Sequence, residues 1–269
     1  MRIALAQICA TREVEDNLEQ VRTRVAEAAK GGARLVVFPE ATMRAFGHNL
    51  DSIAEPVDGP FAQAIADLAR THDLTVAVGL FTPGGSTESD RPKVRNTLLV
   101  AQPDGVRHYD KIHLYDAFGF AESDTVEAGA EELRVMVDGV SIGMTICYDI
   151  RFPQLFINHA RAGAQVIVVA ASWGAGPEKI EQWQLLARAR ALDSTSWVLA
   201  CGQADPQSAG VEAKQGAPTG VGHSLVVSPT GRVIASAGAA PQLLLADLDL
   251  DLVAQTRRTL PVLDNARLS

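Results

Sequence analysis

The sequence predicts an α/β protein in which two sheets pack against each other and helices cover their outer faces. Short apolar runs alternate with longer segments whose apolar residues recur at helical spacing, which is typical of layered α/β folds. The runs at residues 140–146 and 165–170 are mostly apolar, as expected for strands buried on both faces. Other runs are joined by short turn sequences such as QPDG at residues 102–105, which predict hairpins.

The first half of the chain opens with a β-α-β unit. A strand at residues 2–8 precedes a helix at 14–30, which has one apolar face and ends at a pair of glycines. A buried strand then runs from residue 34 and stops at Pro39. The elements predicted next are a loop at 41–60, a helix at 61–70, a strand at 74–81, a turn or hairpin loop at 83–92, and strands at 94–101 and 106–110.

The second half begins with a segment of little periodicity at residues 115–129. No linker, repeat or low-complexity run divides the 269 residues, so we predict a single domain over residues 1–269. The remaining predicted elements are strands at 133–137, 140–146, 165–170, 197–201, 222–227, 233–235 and 243–248, and helices at 153–161, 178–194 and 250–258.

Three chemically active side chains come directly after predicted strands. Glu40 follows Pro39, Lys111 follows the strand at 106–110, and Cys147 follows the strand at 140–146. Because ligands bind at the carboxyl ends of strands in open α/β sheets, we expect these residues to meet at one sheet edge. A carboxylate, an ammonium and a thiol together there would form a general base, an oxyanion-binding group and a nucleophile.

Each of these residues also has an ordinary alternative. A lone free cysteine is usually a small hydrophobic core residue, and a glutamate or lysine beyond a strand end is usually solvated. Cys9 and Cys201 fit the core interpretation. The three cysteines cannot all pair, and nothing indicates a disulfide framework, which fits a reducing cytoplasm.

Three motifs carry a resemblance to a known family: FPE ending at Glu40, YDKIHL around Lys111, and CYDIRFPQL beginning at Cys147. In these motifs, and in the order Glu, Lys, Cys, the chain resembles the nitrilase superfamily of carbon–nitrogen hydrolases over essentially its whole length. It is most similar to the amidase branches that include omega-amidase and deaminated glutathione amidase. The resemblance implies a four-layer α-β-β-α sandwich.

The resemblance also implies a second functional glutamate between the lysine and the cysteine. Ala121-Glu122-Ser123 is the match, although the sequence alone would place Glu122 among surface acids such as Asp124 and Glu127. We expect this residue to orient Lys111 and to join a hydrogen-bond network with the substrate amide.

The implied reaction is a hydrolysis through a thioester on the cysteine. Glu40 acts as the base and Cys147 as the nucleophile. Lys111 lowers the pKa of the thiol and, with the backbone N–H of Tyr148, holds the oxyanion. This chemistry needs no metal or other cofactor, and the sequence has no Cys/His cluster with metal-ligand spacing.

The expected substrate is a small-molecule amide that carries a carboxylate. This expectation rests on the amidase branches and on two cations near the motifs, Arg44 and Arg151. For Arg151, an ion pair with Asp149 or another acid is the favoured alternative. The other candidate substrate-binding residues are Tyr148, Phe46, Phe118 and Trp173.

Composition excludes several other classes of partner. The net charge of −8 and the pI near 5.3 argue against nucleic acid or an anionic membrane as a general partner. No apolar run reaches membrane-spanning length, and the chain begins with a strand rather than a signal peptide, so we expect a cytoplasmic protein.

Relatives form pairs, and the segment past Leu260 would suit a partner surface, so we expect at least a homodimer.

Two other functions stay open at this point. The same Glu-Lys-Cys site would serve a nitrilase or an N-carbamoyl amide hydrolase. True nitrilases tend to carry Trp-Glu after the cysteine, however, whereas this chain has Tyr148-Asp149. The protein could also be a non-catalytic module on the same fold. That alternative is weaker because all four catalytic positions hold competent residues.

Overall fold

Two six-stranded sheets form the centre of the protein. The computed structural model describes residues 1–86, 92–117, 119–212, 214 and 216–267. The first sheet contains, from edge to edge, β14 (Gln242–Asp247), β1 (Arg2–Gln7), β2 (Leu35–Val37), β3 (Thr75–Ser86), β4 (Pro92–Gln102) and β5 (Gly105–Asp110). The second contains β13 (Val233–Ser236), β12 (Leu225–Val227), β11 (Trp197–Gly202), β10 (Val166–Ala171), β9 (Val140–Ile146) and β8 (Leu133–Val137). A small separate pair is formed by β6 (Asp116–Ala117) and β7 (Phe120–Ala121).

Helices cover both outer faces of this pair of sheets. On the first sheet, Val21 and Ile65 share a buried cluster with Val36 and Val78 of the strands. On the second sheet, Trp183 and Phe156 belong to the cluster that also holds the strand residues. The expected four-layer α-β-β-α sandwich is therefore confirmed. The helices are α1 (Val14–Lys30), α2 (Pro60–His72), α3 (Pro153–Arg161), α4 (Lys179–Ser194), α5 (Asp251–Thr259) and α6 (Val262–Asn265).

The space between the sheets is filled by alternate residues of the facing strands. Leu5 and Val37 of the first sheet belong to the same buried cluster as Met144 and Val168 of the second. Their neighbours along β1 and β2, such as Ala4 and Val36, belong instead to the cluster beneath α1 and α2. Because side chains alternate between the two faces of a strand, these strands are apolar on both faces, as the continuous apolar runs predict.

Strand directions bring several chain ends to one edge of the sandwich. In the first sheet β2 pairs in parallel with β1 and β3. In this sheet β5 points the same way as β3, because it is reached through two antiparallel pairings. In the second sheet β9 and β11 both pair in parallel with β10. The carboxyl ends of β2 and β5 therefore lie at one edge of the first sheet, and those of β9 and β10 lie at one edge of the second. A hydrogen bond from Ser172, after β10, to Glu40, after β2, joins the two edges.

One predicted connection is wrong in its first part. Residues 83–86 of the turn or hairpin loop predicted at 83–92 belong instead to β3, which continues to Ser86 and pairs with β4, with Pro83 opposite Val94. The backbone N–H of Gly85 also donates to the Glu127 carboxylate. The two glycines made this segment resemble a turn, but strand pairing decides its structure. Residues 87–91 of that prediction lie outside the described residues.

The other predicted strands and helices agree with the structure to within two residues at each end, except that the strand predicted from residue 222 begins at Leu225. None of the helices in the described ranges is long and apolar enough to span a membrane.

Candidate active site

Glu40 is held at the edge of the first sheet by a sharp turn of the backbone. The chain leaves β2, passes Pro39 and turns at Ala41, whose φ of 57° lies in the left-handed region. A Cβ at Gly79 of β3 would lie 2.7 Å from both the Pro39 carbonyl oxygen and the Ala41 nitrogen, so this crossing requires glycine. Glu40 is 1% exposed, and its Oε2 accepts a 2.7 Å hydrogen bond from the backbone N–H of Ser172.

Lys111 follows β5, and its side chain contacts Glu40. Its backbone N–H donates to the carbonyl oxygen of Asn96, 2.9 Å away. Its Nζ lies 2.8 Å from Glu40 Oε1 and 2.9 Å from Glu122 Oε2. At 2% exposure, the ammonium group is enclosed by the carboxylates it pairs with.

Glu122 is not a surface acid. It begins a short 3₁₀ turn, Glu122–Asp124, and is 2% exposed, whereas Asp124 two residues later is exposed. Besides the contact with Lys111, its Oε2 accepts a 2.7 Å hydrogen bond from the backbone N–H of Tyr115. The structure therefore brings Glu122 into contact with Lys111, where the resemblance places the second glutamate.

Cys147 lies in a strained elbow between β9 and the 3₁₀ turn Cys147–Arg151. Its backbone φ is 45°, a value that residues other than glycine rarely adopt. The buried carboxylate of Asp149 supports this elbow, accepting hydrogen bonds from the Ile146 backbone N–H at 2.8 Å and from the Tyr109 hydroxyl at 2.7 Å. A third bond, from the His113 backbone N–H at 3.1 Å, ties the elbow to the segment that carries Lys111.

Burial and charge set the protonation of this cluster. Burial raises the pKa of the Glu40 carboxyl above its ordinary value, Lys111 opposes the rise, and the charge of Glu122 adds to it. Burial alone would lower the pKa of Lys111, but the charges of Glu122 and Glu40 outweigh it and raise this pKa well above its ordinary value. Lys111 therefore stays an ammonium.

Opposing effects act on the pKa of the Cys147 thiol. Lys111 does act to lower its pKa, as expected, but burial and the charge of Glu40 outweigh that effect and raise the pKa well above its ordinary value. The resting side chain is therefore a thiol rather than a preformed thiolate. A nucleophilic attack by this cysteine needs a base that removes the proton during the attack.

These residues form the floor of a pocket of about 410 Å³, part of it open to solvent. Three of the predicted substrate-binding residues, Phe46, Tyr148 and Trp173, line it, as does Arg151. The fifth, Phe118, lies outside the described residues. The pocket is also lined by Tyr115, Phe120, Ser172, Gly174, Lys179 and Pro218.

The two candidate arginines have different positions. Arg151 lines the pocket, with its guanidinium carbon 5.2 Å from the centre of the Trp173 ring and its Nη2 donating to Gln182 Oε1 at 2.8 Å. The favoured ion pair with Asp149 or another acid is wrong: within the described residues Arg151 bonds to Gln182, and Asp149 accepts from Tyr109, Ile146 and His113. Arg44 is not among the lining residues; it donates instead to backbone carbonyls of Arg12 and Asn49.

Sequence reasoning missed three residues that contact the site. Asn96 donates to Glu40 and Glu122, Ser172 donates through its backbone to Glu40, and Lys179 lines the pocket wall. Asn96 offered a signal, because it is a polar residue in an otherwise apolar strand and a buried polar side chain normally has a hydrogen-bond partner. No group of three or more potential metal ligands among His, Cys, Asp and Glu occurs in the described ranges.

Comparison with known proteins places this geometry in a family. The model of the family described as carbon-nitrogen hydrolase matches residues 2–258. A protein of Mycobacterium tuberculosis, named only as a hydrolase, is 56% identical over 98% of this chain and 95% of its own. The deaminated glutathione amidase of Escherichia coli O157:H7 is 32% identical over 100% of this chain and 98% of its own.

A solved structure has the same architecture. Nit3 of Saccharomyces cerevisiae, described as a member of branch 10 of the nitrilase superfamily, superposes with a TM-score of 0.82 at 27% identity. The match covers 100% of this chain and 97% of that one. The expected resemblance to the nitrilase superfamily is confirmed.

Proposed function

This chain belongs to the carbon–nitrogen hydrolase family, and we propose that within it the protein is a cysteine-dependent amidase that releases ammonia from a small, carboxylate-bearing amide. A hydrolase acting on carbon–nitrogen bonds follows from the family itself. One observation supports the amidase most strongly: Glu40, Lys111 and Glu122 are in direct contact beside a cysteine at the floor of a pocket.

The first half of the proposed reaction forms a thioester. Glu40 removes the proton of Cys147 as the sulfur attacks the amide carbonyl carbon. The oxyanion that develops accepts hydrogen bonds from Lys111 Nζ and from the backbone N–H of Tyr148, and one such donor stabilises it by about 3–4 kcal/mol. Glu40 then passes the proton to the amide nitrogen, the carbon–nitrogen bond breaks, and ammonia leaves.

The second half hydrolyses the thioester. Glu40 removes a proton from water, the resulting hydroxide attacks the thioester carbon, and the same donors hold the second oxyanion. Collapse of this intermediate breaks the carbon–sulfur bond, and the proton on Glu40 returns to the cysteine. The raised pKa of Glu40 makes this carboxylate a stronger base than an ordinary glutamate, which suits a group that must both take and return a proton.

The carboxylate on the substrate is supported by the charge of the pocket wall. The pocket is lined by three cations, Lys111, Arg151 and Lys179, and by two acids, Glu40 and Glu122, so the cations exceed the acids by one charge when all five are ionised. The pKa of Lys179 is lowered by burial and by the charge of Arg151, so the two cations lie close enough to repel each other. A substrate carboxylate between them would relieve this repulsion and accept charge-assisted hydrogen bonds.

Two variants test the amidase. Glu40→Gln and Lys111→Ala should each abolish ammonia release from a panel of small amides, while circular dichroism shows the fold to be intact. Substantial turnover by either folded variant would contradict the assigned roles. Turnover of nitriles or N-carbamoyl compounds without turnover of amides would favour the alternative activities.

Matched substrates test the carboxylate. An ω-amide acid and its methyl ester share the scissile amide and differ in one charge. We expect the acid to have at least about tenfold higher kcat/KM, which corresponds to one charge-assisted contact. Arg151→Met should remove most of this difference and leave kcat/KM for the ester unchanged. Equal values for acid and ester in the wild type would remove the carboxylate from the proposal.

A further inference from the structure

Asn96 lies behind the carboxylates, on the buried strand β4, and is 0% exposed. Its Nδ2 is 2.8 Å from Glu40 Oε1 and 3.0 Å from Glu122 Oε1. Both amide protons are thus donated, one to each carboxylate. The carbonyl Oδ1 has no hydrogen-bond partner within the described residues, so the two donated bonds decide which end of the amide faces the carboxylates.

The charges in this buried space do not balance without such donors. Lys111 supplies one positive charge, whereas Glu40 and Glu122 supply two negative charges when both are ionised. Two buried carboxylates in one site normally repel each other, and one of them takes up a proton. Hydrogen bonds to the ionised form counter this tendency.

Some hydrogen-bond donors contact only one of the two carboxylates, and others contact both. The Ser172 N–H serves Glu40 and the Tyr115 N–H serves Glu122. In the described ranges, Lys111 and Asn96 are the side chains shown bonded to both. In the proposed reaction Lys111 must also donate to the oxyanion, which weakens its bonds to the glutamates while charge moves through Glu40.

We propose that Asn96 is a positioning residue whose amide holds Glu40 and Glu122 side by side and ionised while Lys111 turns a donor toward the oxyanion. The inference rests on the proposed function, because it assigns Glu40 the role of base. Asn96 itself touches neither the thiol nor the pocket; it acts through the carboxylates.

A pH dependence follows from this role. The titratable groups that face Glu40 are Lys111 from the end of β5, Glu122 from its 3₁₀ turn and Cys147 from the end of β9. A protonated Glu40 cannot accept the thiol proton, so the acid limb of the kcat/KM profile follows its pKa. Removing Asn96 takes a donor from the ionised form and raises this pKa further. The acid limb should therefore move to higher pH.

The test compares two substitutions with a matched control. Asn96→Leu removes both donors at similar volume. Asn96→Asp keeps the shape but provides fewer donors when neutral and adds repulsion when charged, so both variants shift the limb in the same direction. Thr97→Val is the control: Thr97 is equally buried on the same strand, points to the opposite face and bonds to Thr82 and Asp110.

Two readouts separate this inference from the amidase proposal. In each variant we expect the acid limb of the kcat/KM profile to move to higher pH by about one unit, which lowers kcat/KM about tenfold at low pH. We expect KM to stay within about threefold of wild type. The rate of Cys147 alkylation by iodoacetamide should show the same shift, and it requires no amide substrate. The pH profiles are measured only on variants whose circular dichroism matches that of the wild type. If Asn96→Leu does not fold, Asn96→Asp alone provides the test.

The outcomes are distinct. An upward shift in both Asn96 variants and none in Thr97→Val supports the role. Unshifted limbs in a folded Asn96→Asp, with or without a uniform loss of rate, would assign Asn96 to packing alone and overturn the inference. If the wild type turns over no amide, the alkylation profile still decides the role of Asn96.

Discussion

At the scale of single residues, the site depends on carboxylates that are buried beside an ammonium. Glu40 and Glu122 are both almost inaccessible, and each is within 3 Å of Lys111 Nζ. Losing one partner of a buried ion pair leaves an uncompensated charge, which typically costs about 3–5 kcal/mol. Substitutions here should therefore affect both catalysis and stability, and each needs a control that separates the two.

Glu122→Ala should lower kcat by about 10²-fold or more, because Lys111 loses the carboxylate that orients it. The exposed acid Asp124, in the same 3₁₀ turn, provides the matched control, and Asp124→Ala should retain wild-type rates. Ammonia release at saturating amide measures both. Wild-type turnover by a well-folded Glu122→Ala protein would remove Glu122 from the catalytic set.

Cys147 should be the thiol that reacts first with iodoacetamide. Its own pKa is raised, so its reactivity rests on Glu40 and on access through the pocket rather than on a low pKa. Cys201 is 0% exposed with its thiol directed at the Val37 carbonyl, and burial raises the pKa of Cys9 to about 11. Peptide mapping after brief treatment should find Cys147 modified and activity lost. Labelling of Cys9 or Cys201 with activity retained would refute this.

At the scale of secondary-structure elements, the close contact between Gly79 of β3 and the turn that carries Glu40 decides where Glu40 lies. Gly79→Ala would put a methyl group 2.7 Å from two backbone atoms of the Glu40 turn. This steric clash can be relieved only if the backbone moves. We expect the free energy of unfolding to fall by about 1–3 kcal/mol and kcat to fall with it. Urea denaturation and ammonia release measure the two effects.

Gly105→Ala is the control for that substitution. Gly105 begins β5, and a Cβ there would meet no atom within 4 Å. Both its stability and its activity should match the wild type. If Gly79→Ala behaves like Gly105→Ala, the close approach of β3 to the Glu40 turn does not position Glu40.

At the scale of the whole molecule, the homodimer stays a prediction. The outer face of α4 exposes apolar side chains, with Leu185 66% and Leu192 41% exposed, and such patches often mark association surfaces. We expect sedimentation at micromolar concentration to show a dimer and Leu185→Glu to weaken it. Leu245→Glu, which adds the same charge at a 41% exposed position on β14, should not. A wild-type protein that sediments only as a monomer would refute the prediction.

Most of the fold could be predicted from local patterns. The apolar runs, the helical stripes and the hairpin turns place nearly every element, because burial on one or two faces imposes a period on the sequence. The exception at residues 83–86 shows the limit of this reasoning: two glycines typical of a turn form an irregularity within a strand, because Pro83 and Ser86 on either side of them pair with Val94 and Pro92 of β4. The single domain over residues 1–269 stays a prediction.

The sequence by itself determined the chemistry that this protein has available. Glu40, Lys111 and Cys147 each follow a strand, and strands that run in the same direction bring such residues together, so the order of residues alone is enough to infer that they meet. The motifs around them indicated the family because each motif is a short run of consecutive residues, which can be recognised without the fold.

Only the tertiary structure decided how those groups are charged and held. Asn96, Ser172 and Lys179 reach the site through contacts between segments far apart in the chain, and no local pattern encodes such contacts. The raised pKa of Cys147 likewise depends on burial and on its proximity to Glu40. Both are properties of the packed molecule, because desolvation and charge–charge energies depend on distances in space rather than on positions in sequence.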